Sequence, residues 1–467
     1  MAVKSEQAVY TLVVGLGKTG LSVVRYLRAL GETVVVVDSR DIPPGLKVLK
    51  DEYGDLDYHM GAFDVSLFVN AHRIVVSPGV ALSEPALLAA RHNNVEITGD
   101  IDLFSHEVKA PVIGITGSNG KTTVTTLLAL MASQAGKNAV ASGNIGLPVL
   151  DSLDDNVGLY VLELSSFQLE SLQFLPMKAA VVLNISADHL DRYADIFSYA
   201  ASKQAIYANA ETLVLNKDDL LASAHSDNTN AKSSLLATEN KQIHFTLNKP
   251  EANEFGLCED KDGLVHLCLG EQLLVETKAL KIKGAHNLQN ALAALALGYA
   301  IDLPLNSMLK TLKGFKGLAH RTQFVAEING VVWINDSKAT NVGATLAALT
   351  GLSGKHVLIA GGDAKGADFS DLTETVRQHC RAVVLMGKDA QKIKAVLPEG
   401  IAVETVGDMQ AAVQAAQLFA KTGDNVLLAP ACASLDMFDN YEHRGNVFIQ
   451  EVERLQSDKL SHETLSE

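Results

Sequence analysis

The 467-residue sequence predicts an α/β protein of three domains, each a mostly parallel sheet with helices packed on it. Three observations carry that reading. Short Val-, Ile- and Leu-rich runs alternate with stretches of helical apolar periodicity along most of the chain. Glycine-rich turns follow several of those runs, as at strand-to-helix junctions. At roughly 150 residues per domain, the length suggests about three domains. The expected divisions are residues 1–106, 107–316 and 317–467.

Composition narrows the class. Hydrophobic content of 47% and charged content of 20% suit a folded globular chain with sizeable cores. A formal net charge of −15 argues against general nucleic-acid or acidic-membrane binding. Phosphorylated ligands would have to be held by local dipoles and a few cations. Cys258, Cys268, Cys380 and Cys432 show no CxxC or zinc spacing, and reduced thiols are expected. The start, residues 1–7, is polar, and no apolar run approaches the ~20 residues of a membrane span. A soluble cytoplasmic protein is expected, with residues 291–300 as a buried helix and a frayed polar tail from Ser457.

The first domain opens with a strand over residues 9–15, then Gly15-Leu-Gly-Lys-Thr-Gly20, then a helix to residue 30. A second strand, 33–37, ends at Asp38. GxGxxG with an acidic residue about 20 positions on is the dinucleotide fingerprint of a Rossmann-like unit. Read alone, it allows a dinucleotide, another phosphate ligand or a purely structural turn. A further strand, 74–76, carries Ser77-Pro-Gly79 at its carboxyl end, the edge where open α/β sheets bind ligands.

The second domain is built around Thr116-Gly-Ser-Asn-Gly-Lys-Thr-Thr123, between an apolar strand, 111–115, and a helix from residue 124. Glycines let backbone N–H groups turn in around phosphate oxygens. Lys121 can reach the outer phosphates, the Thr122 hydroxyl can hold Mg²⁺, and the helix N-terminus favours anions. The general pattern wants a glycine where Ile115 stands, so a plain glycine-rich turn remains an alternative. Strands at 159–164, 179–184 and 212–216 complete a mononucleotide-binding core. Residues 220–283 read as an antiparallel addition, and a helix follows Gly284-Ala-His-Asn287-Leu-Gln-Asn290.

Glu163 and His189 stand at or just past strand ends of this core. Glu163 can reach Mg²⁺ on Thr122, or it is a solvated carboxylate. His189, between Asp188 and Asp191, is a metal ligand, a base, or a histidine satisfied by its neighbours. Lys203 reads as a surface lysine on a helix. In the third domain, strands are expected at 331–335, 356–360, 382–386 and 425–429. Asp336-Ser-Lys-Ala-Thr-Asn341 opens a helix and suits ribose, phosphate or carboxylate contacts, with Ser337 or Thr340 as alternative N-caps. Gly361-Gly-Asp-Ala-Lys365 and Pro430-Ala-Cys-Ala-Ser434 are further ligand-facing turns. Such turns on three domains suggest a cleft between domains that takes two or three polyanionic ligands.

These motifs, in this order, resemble the Mur ligase family of peptidoglycan synthesis over nearly the whole chain. The resemblance rests on Gly114-Ile-Thr-Gly-Ser-Asn-Gly-Lys-Thr-Thr123, Leu162-Glu-Leu-Ser-Ser-Phe-Gln168, Asn184-Ile-Ser-Ala-Asp-His-Leu-Asp191, His286-Asn-Leu-Gln-Asn290, His320-Arg321 and Asp336-Ser-Lys-Ala-Thr-Asn341. Glu163 to Gln168 and Pro430-Ala-Cys-Ala-Ser-Leu-Asp-Met-Phe438 look most like the branch that adds D-glutamate to UDP-N-acetylmuramoyl-L-alanine.

The resemblance implies an ATP-dependent, amide-forming enzyme with two Mg²⁺ ions, working as a monomer without nucleic-acid or membrane partners. It implies that Gly17, Lys18, Thr19, Ser39, Arg40, Ser77, Gly79 and Asn144 serve the UDP-substrate. It assigns Gly117, Ser118, Asn119, Gly120, Lys121, Thr122, Thr123, Asn287, Asn290, Arg321 and Asp336 to ATP. Thr122, Glu163, His189 and Lys203 would hold metal, with Lys121, His189 and Lys203 catalytic. Lys203 matches a carbamylated lysine, a cation turned by CO₂ into an anion. Lys338, Thr340, Lys365, Ser434 and Tyr441 fall on the D-glutamate side. A sibling ligase, a nicotinamide oxidoreductase built on the first fingerprint, and a nucleotide-binding regulator are the competing readings.

Overall fold

The computed structural model describes residues 9–189, 192–223, 241–282 and 284–464, with side chains as far as 457. The polar start and Asp191 therefore lie outside the described residues. Strands numbered in chain order fall into three sheets. The first holds β1 (Thr11–Val14), β2 (Val34–Asp38), β3 (Asp57–Met60), β4 (Arg73–Val76) and β5 (Glu96–Thr98). Its order is β3-β2-β1-β4-β5 and every pairing is parallel. A sheet covered on both faces needs continuous rather than alternating apolar strands, and β2, Val-Val-Val-Val-Asp, is buried throughout.

The second sheet holds β6 (Val112–Thr116), β7 (Ala139–Gly143), β8 (Leu159–Glu163), β9 (Met177–Val182) and β10 (Ala210–Asn216). It continues through β11 (Lys241–Phe245), β12 (Phe255–Glu259), β13 (Val265–Leu269) and β14 (Gln272–Glu276). The order is β14-β13-β12-β11-β10-β9-β6-β8-β7. The expected antiparallel addition is only partly that. β11 extends the parallel sheet beside β10, and the antiparallel pairing is confined to β12, β13 and β14. The β12–β13 pair also corrects the cysteine reading. Cys258 faces His266 across β12 and β13, so Cys268 lies on the diagonal, and the two cysteines form a disulfide with Cα atoms 6.2 Å apart. Cys380 and Cys432 remain buried thiols.

The helix Ala285–Ala300 is buried without a break from Asn290 to Gly298. It shares a core with Leu127, Leu128 and Met131 of the helix Lys121–Gln134. At about 1.5–3 kcal/mol per buried leucine, Leu292, Leu295 and Leu297 anchor the helix that follows the phosphate loop.

The third sheet holds β15 (Gln323–Ile328), β16 (Val331–Asn335), β17 (His356–Ala360), β18 (Cys380–Leu385), β19 (Ala402–Thr405) and β20 (Asn425–Leu428). It is ordered β15-β16-β20-β17-β18-β19, parallel except for the β15–β16 hairpin. The closing helix runs Tyr441–Thr464, so the chain stays helical past Ser457, in contrast to the frayed tail its polar sequence predicts. Phe448 and Val452 of this helix pack under Trp333 and β20, and that apolar anchor carries it into the polar stretch.

Candidate active site

Each glycine-rich turn leaves the carboxyl end of a strand lying inside its sheet, where α/β ligands bind. In the first sheet, Gly15 has φ 95°, and a side chain on Gly20 would meet the Gly15 carbonyl at 1.9 Å. The fingerprint thus has a packing reason independent of any ligand. Its acidic residue, Asp38, is already engaged. The Leu16 N–H and the Arg40 Nη2 donate to Oδ2 at 2.7 Å each, and Arg40 Nε donates to Oδ1 at 2.9 Å. Burial pushes the Asp38 carboxyl up, but Arg40 and these N–H groups outweigh it and hold it below the ordinary value. That leaves little of the carboxylate for a dinucleotide ribose. Ser77 at the end of β4 donates its hydroxyl to the Gly15 carbonyl at 3.0 Å, joining the two turns. Lys18 and Thr19 begin the helix Lys18–Ala29, Gly17 caps it, and Lys18, Ser39 and Arg40 are exposed.

The second turn is more constrained. Gly117 (φ 147°) and Gly120 (φ 84°) take backbone shapes that L side chains rarely adopt. The turn is braced from the end of β9. Ser118 N–H donates to the Asn184 carbonyl at 2.8 Å, and Asn119 N–H to Asn184 Oδ1 at 2.9 Å. Lys121 folds back, its ammonium donating to the carbonyls of Gly117 (2.7 Å) and Ser118 (3.0 Å). Burial lowers its pKa, opposed by Glu163 and Asp188 and aided by Arg321. Asn290 packs on Gly120, where a side chain would meet Asn290 Oδ1 at 2.2 Å, and its amide donates to Asn287 Oδ1 at 3.4 Å. Thr123 is buried.

A cavity of ≈ 820 Å³ opens above this turn. From the second domain it is lined by Ser118, Asn119, Gly120, Lys121, Thr122, Asn144, Glu163, His189 and Lys203. From the third it is lined by Arg321, Lys338, Thr340, Lys365, Ser434 and Tyr441. Fifteen residues that the resemblance assigns to the site thus meet in one space. Gly117, Thr123, Asn287, Asn290 and Asp336 are not in its wall, nor are the first-domain residues Gly17, Lys18, Thr19, Ser39, Arg40, Ser77 and Gly79. Five Lys and Arg side chains in the wall face the carboxylates of Glu163, Asp188, Asp368 and Asp371, a local balance opposite to the chain's −15.

Within the cavity, Glu163 is 2% exposed. Asn144 donates to its Oε1 at 2.8 Å, whereas its Oε2 is buried with no hydrogen-bond partner. An orphaned carboxylate oxygen that shares a cavity with a threonine hydroxyl is an oxygen-donor site suited to Mg²⁺. Among the described residues no three His, Cys, Asp or Glu converge, so phosphate oxygens and water would complete the shell, as Mg²⁺ tolerates. His189, with φ 56°, has Nε2 3.8 Å from Asp188 Oδ2 and lies edge-on to Phe167 at 4.8 Å. Lys203 overturns the surface reading. It is 1% exposed, 3.5 Å from Thr116 Oγ1 and 4.7 Å from the Tyr199 ring centre. Burial, then Lys121, hold its ammonium well below the ordinary value, against Asp188 and Glu163. Lys203 lies in the last turn of the helix Ile196–Gln204, whose buried face also carries Tyr199 and Ala200.

The third domain closes the opposite wall. Arg321 Nη2 donates to Thr122 Oγ1 at 2.6 Å. Asp336 accepts from Thr322 N–H at 3.2 Å, and burial raises its carboxyl to about 6. Lys338 lies over the Tyr441 ring at 4.0 Å, and burial, then Arg321 and Lys121, lower it to about 8. Tyr441 is raised to about 12 by burial and by Glu442. Lys365 is exposed at φ 47°, and Ser434 is buried with its carbonyl accepting from Phe438 N–H at 2.8 Å. The helix Val342–Gly351 is capped by Asn341, not by Ser337 or Thr340. Its side chain accepts from Ala344 N–H and donates to Asn119 Oδ1 (3.3 Å) and Asp188 Oδ2 (3.2 Å). Ser337 is instead held by Arg444. Asp188, Phe167 and Asn341 stand inside the sequence motifs with no role that spacing assigns, and only their spatial convergence singles them out.

Three consecutive segments match known domains. Residues 9–99 match the Mur ligase MurD-like N-terminal domain, 115–298 the Mur ligase middle domain, and 320–432 the Mur ligase glutamate ligase domain. A protein of Nitrosococcus oceani named UDP-N-acetylmuramoylalanine--D-glutamate ligase is 49% identical over 96% of this chain and 98% of its own. A protein of the same name from Pseudomonas aeruginosa is 48% identical over the same shares. Among solved structures, a pseudomurein peptide ligase type C from Methanothermus fervidus aligns with a TM-score of 0.57 at 20% identity, over 96% of this chain and 100% of that one. A UDP-N-acetylmuramate-alanine ligase from Thermotoga maritima aligns with a TM-score of 0.57 at 19% identity, over 96% and 99%. These structures share the fold. With sequence matches across all three domains, the chain belongs to the Mur ligase family of ATP-dependent, amide-forming ligases.

Proposed function

We propose that this enzyme joins D-glutamate to UDP-N-acetylmuramoyl-L-alanine, using ATP and releasing ADP and phosphate. The observation that carries the reading is one cavity in which Lys121, Thr122, Glu163 and Lys203 face Arg321, Lys338 and Ser434 of another domain. The names and nearly full-length similarity of its relatives support the same substrates. A carboxylate is a poor acyl donor. Attack of the L-alanyl carboxylate on the γ-phosphorus breaks its bond to ADP and gives an acyl phosphate. The D-glutamate amine, having lost a proton, attacks the acyl carbon, and the tetrahedral intermediate expels phosphate to leave an amide.

The assigned roles follow charge and reach. Lys121 and the N–H groups of residues 117–123 hold the transferring phosphate. Arg321 is a further cation on that side, with Asn287, Asn290 and Asp336 supporting the nucleotide. Lys338, Thr340, Lys365, Ser434 and Tyr441 receive D-glutamate. The first-domain turns hold the UDP end. Thr122, Glu163, His189 and Lys203 would hold two Mg²⁺ ions, which when bound offset the repulsion between phosphate and carboxylate. His189 and Asp188 orient the reacting carboxylate.

Lys203 is carbamylated in this reading. Its burial favours the neutral amine, the form that adds to CO₂, and the resulting carbamate supplies the anion that the sparse donor set lacks. With ¹³C-bicarbonate, a carbamate resonance is expected that Lys203→Arg removes; an unchanged resonance in that variant would exclude the assignment. Among the described residues no helix is long and apolar enough to cross a membrane, consistent with cytoplasmic action on nucleotide-linked substrates. Phosphate release is expected only when UDP-substrate, ATP and D-glutamate are all present. Release without the amino acid, or equal rates across an amino-acid panel, would refute the function.

A further inference from the structure

The Ser77-Pro-Gly79 turn and the loop carrying His189 belong to different sheets, yet one side chain spans them. His189 takes a left-handed backbone (φ 56°), and its carbonyl accepts from the N–H groups of Arg192 (2.9 Å) and Tyr193 (3.1 Å). Arg192 reaches to the first domain. Its Nη1 donates to the Pro78 carbonyl at 3.0 Å, and its Nη2 to the Val80 carbonyl at 3.4 Å and to Glu170 Oε2 at 2.9 Å. The guanidinium lies over Phe167 at 4.0 Å, and Phe167 is the ring set edge-on to His189. Glu170 also accepts from the Tyr193 hydroxyl, and Arg192 and Glu170 keep only 15% and 19% of their side-chain exposure. On the far side, Ser77 donates its N–H to Val14 and its hydroxyl to Gly15. Hydrogen bonds and ring contacts therefore run unbroken from the first glycine turn to the wall of the cleft.

We propose that Arg192 is a positioning residue for the UDP-linked substrate, setting the span between the first-domain turn and the His189 wall of the cleft. It works through main-chain carbonyls and touches no reactant. A substrate held at one end by the first domain and reacting at the other in the cleft needs that span fixed, because small misplacements of a reacting group are costly. Arginine suits this position because its planar fork serves two carbonyls and a carboxylate while its face stacks on a ring, which an ammonium cannot do together.

The inference rests on the ligase reading, and its test separates the two. Steady-state kinetics of Arg192→Ala should show KM for UDP-N-acetylmuramoyl-L-alanine rising about tenfold or more, with KM for ATP and D-glutamate within about twofold, even though the melting temperature falls because Glu170 loses its partner. Arg192→Lys should stay impaired for the UDP-substrate, and it decides the question if the alanine variant does not fold. Glu170→Gln, which leaves both carbonyl bonds possible, should change that KM by less than about threefold. An unchanged KM for the UDP-substrate, full recovery by lysine, or all three KM values rising together would overturn the role of Arg192. A wild-type enzyme that makes no product from this substrate would instead refute the ligase reading on which the role depends.

Discussion

Lys121 and Lys338 are half-buried cations beside one cavity, and each bears a separate prediction. Lys121 is spent on its own loop carbonyls and is free to turn to a phosphate. Lys121→Ala should reduce kcat by ~10²–10³-fold or more, the range for losing one preorganised donor to a developing charge. Its melting temperature should not fall, because the ammonium is held at a desolvation cost; phosphate-release assays and thermal melts read the two effects. Lys338 sits near pKa 8, lowered by burial, Arg321 and Lys121. Below that value it is an ammonium that attracts a carboxylate, and above it a neutral amine. KM for D-glutamate should therefore rise as pH climbs through about 8, and the Lys338→Arg variant should lose that step. A flat profile in the parent enzyme would remove Lys338 from the amino-acid side. Lys203 shows what local sequence misses. Nothing next to it separates a surface lysine from one that is 1% exposed; only packing of its helix against Thr116, 87 residues away, does so.

At the scale of elements, the two glycine-rich turns were legible because strand, glycines and helix are adjacent in sequence. The helix Val342–Gly351 shows the limit of that rule. Its start was legible, but residue type and spacing point to Ser337 or Thr340 as its cap, whereas Asn341 fills it and also bridges to Asn119, 222 residues away. Asn341→Ala should cost about 1 kcal/mol of stability through the lost cap. Asn341→Ser should recover that loss in thermal melts while still lacking the amide bonds to Asn119 and Asp188. Equal melting temperatures for alanine and serine would show that the cap contributes nothing. The antiparallel pairing of β12, β13 and β14 was legible in part, and the disulfide across it was not. The strands are short, β12 had no distinct apolar alternation, and the Cys258–Cys268 pairing depends on a register that spacing does not reveal.

For the whole molecule, three mostly parallel sheets were legible in their alternating apolar runs, but their mutual placement was not. The decisive contacts are non-local: Arg321 with Thr122 across 199 residues, and Arg192 with Pro78 across 114. The first brings the third domain onto the glycine-rich turn before Thr122, and the proposed function, with its substrates held by separate domains, predicts closure around them. Solution scattering should show a more compact particle with ATP analogue and UDP-substrate together than with neither; superimposable profiles would count against closure. The proposed reaction joins a D-amino acid to an ATP-activated, UDP-linked carboxylate. Its most direct measurement is product formation from UDP-N-acetylmuramoyl-L-alanine with D- or L-glutamate, followed by chromatography. ATP-dependent product with D-glutamate and none with L-glutamate is the predicted result, and product that ignores ATP or the configuration of the amino acid would contradict it.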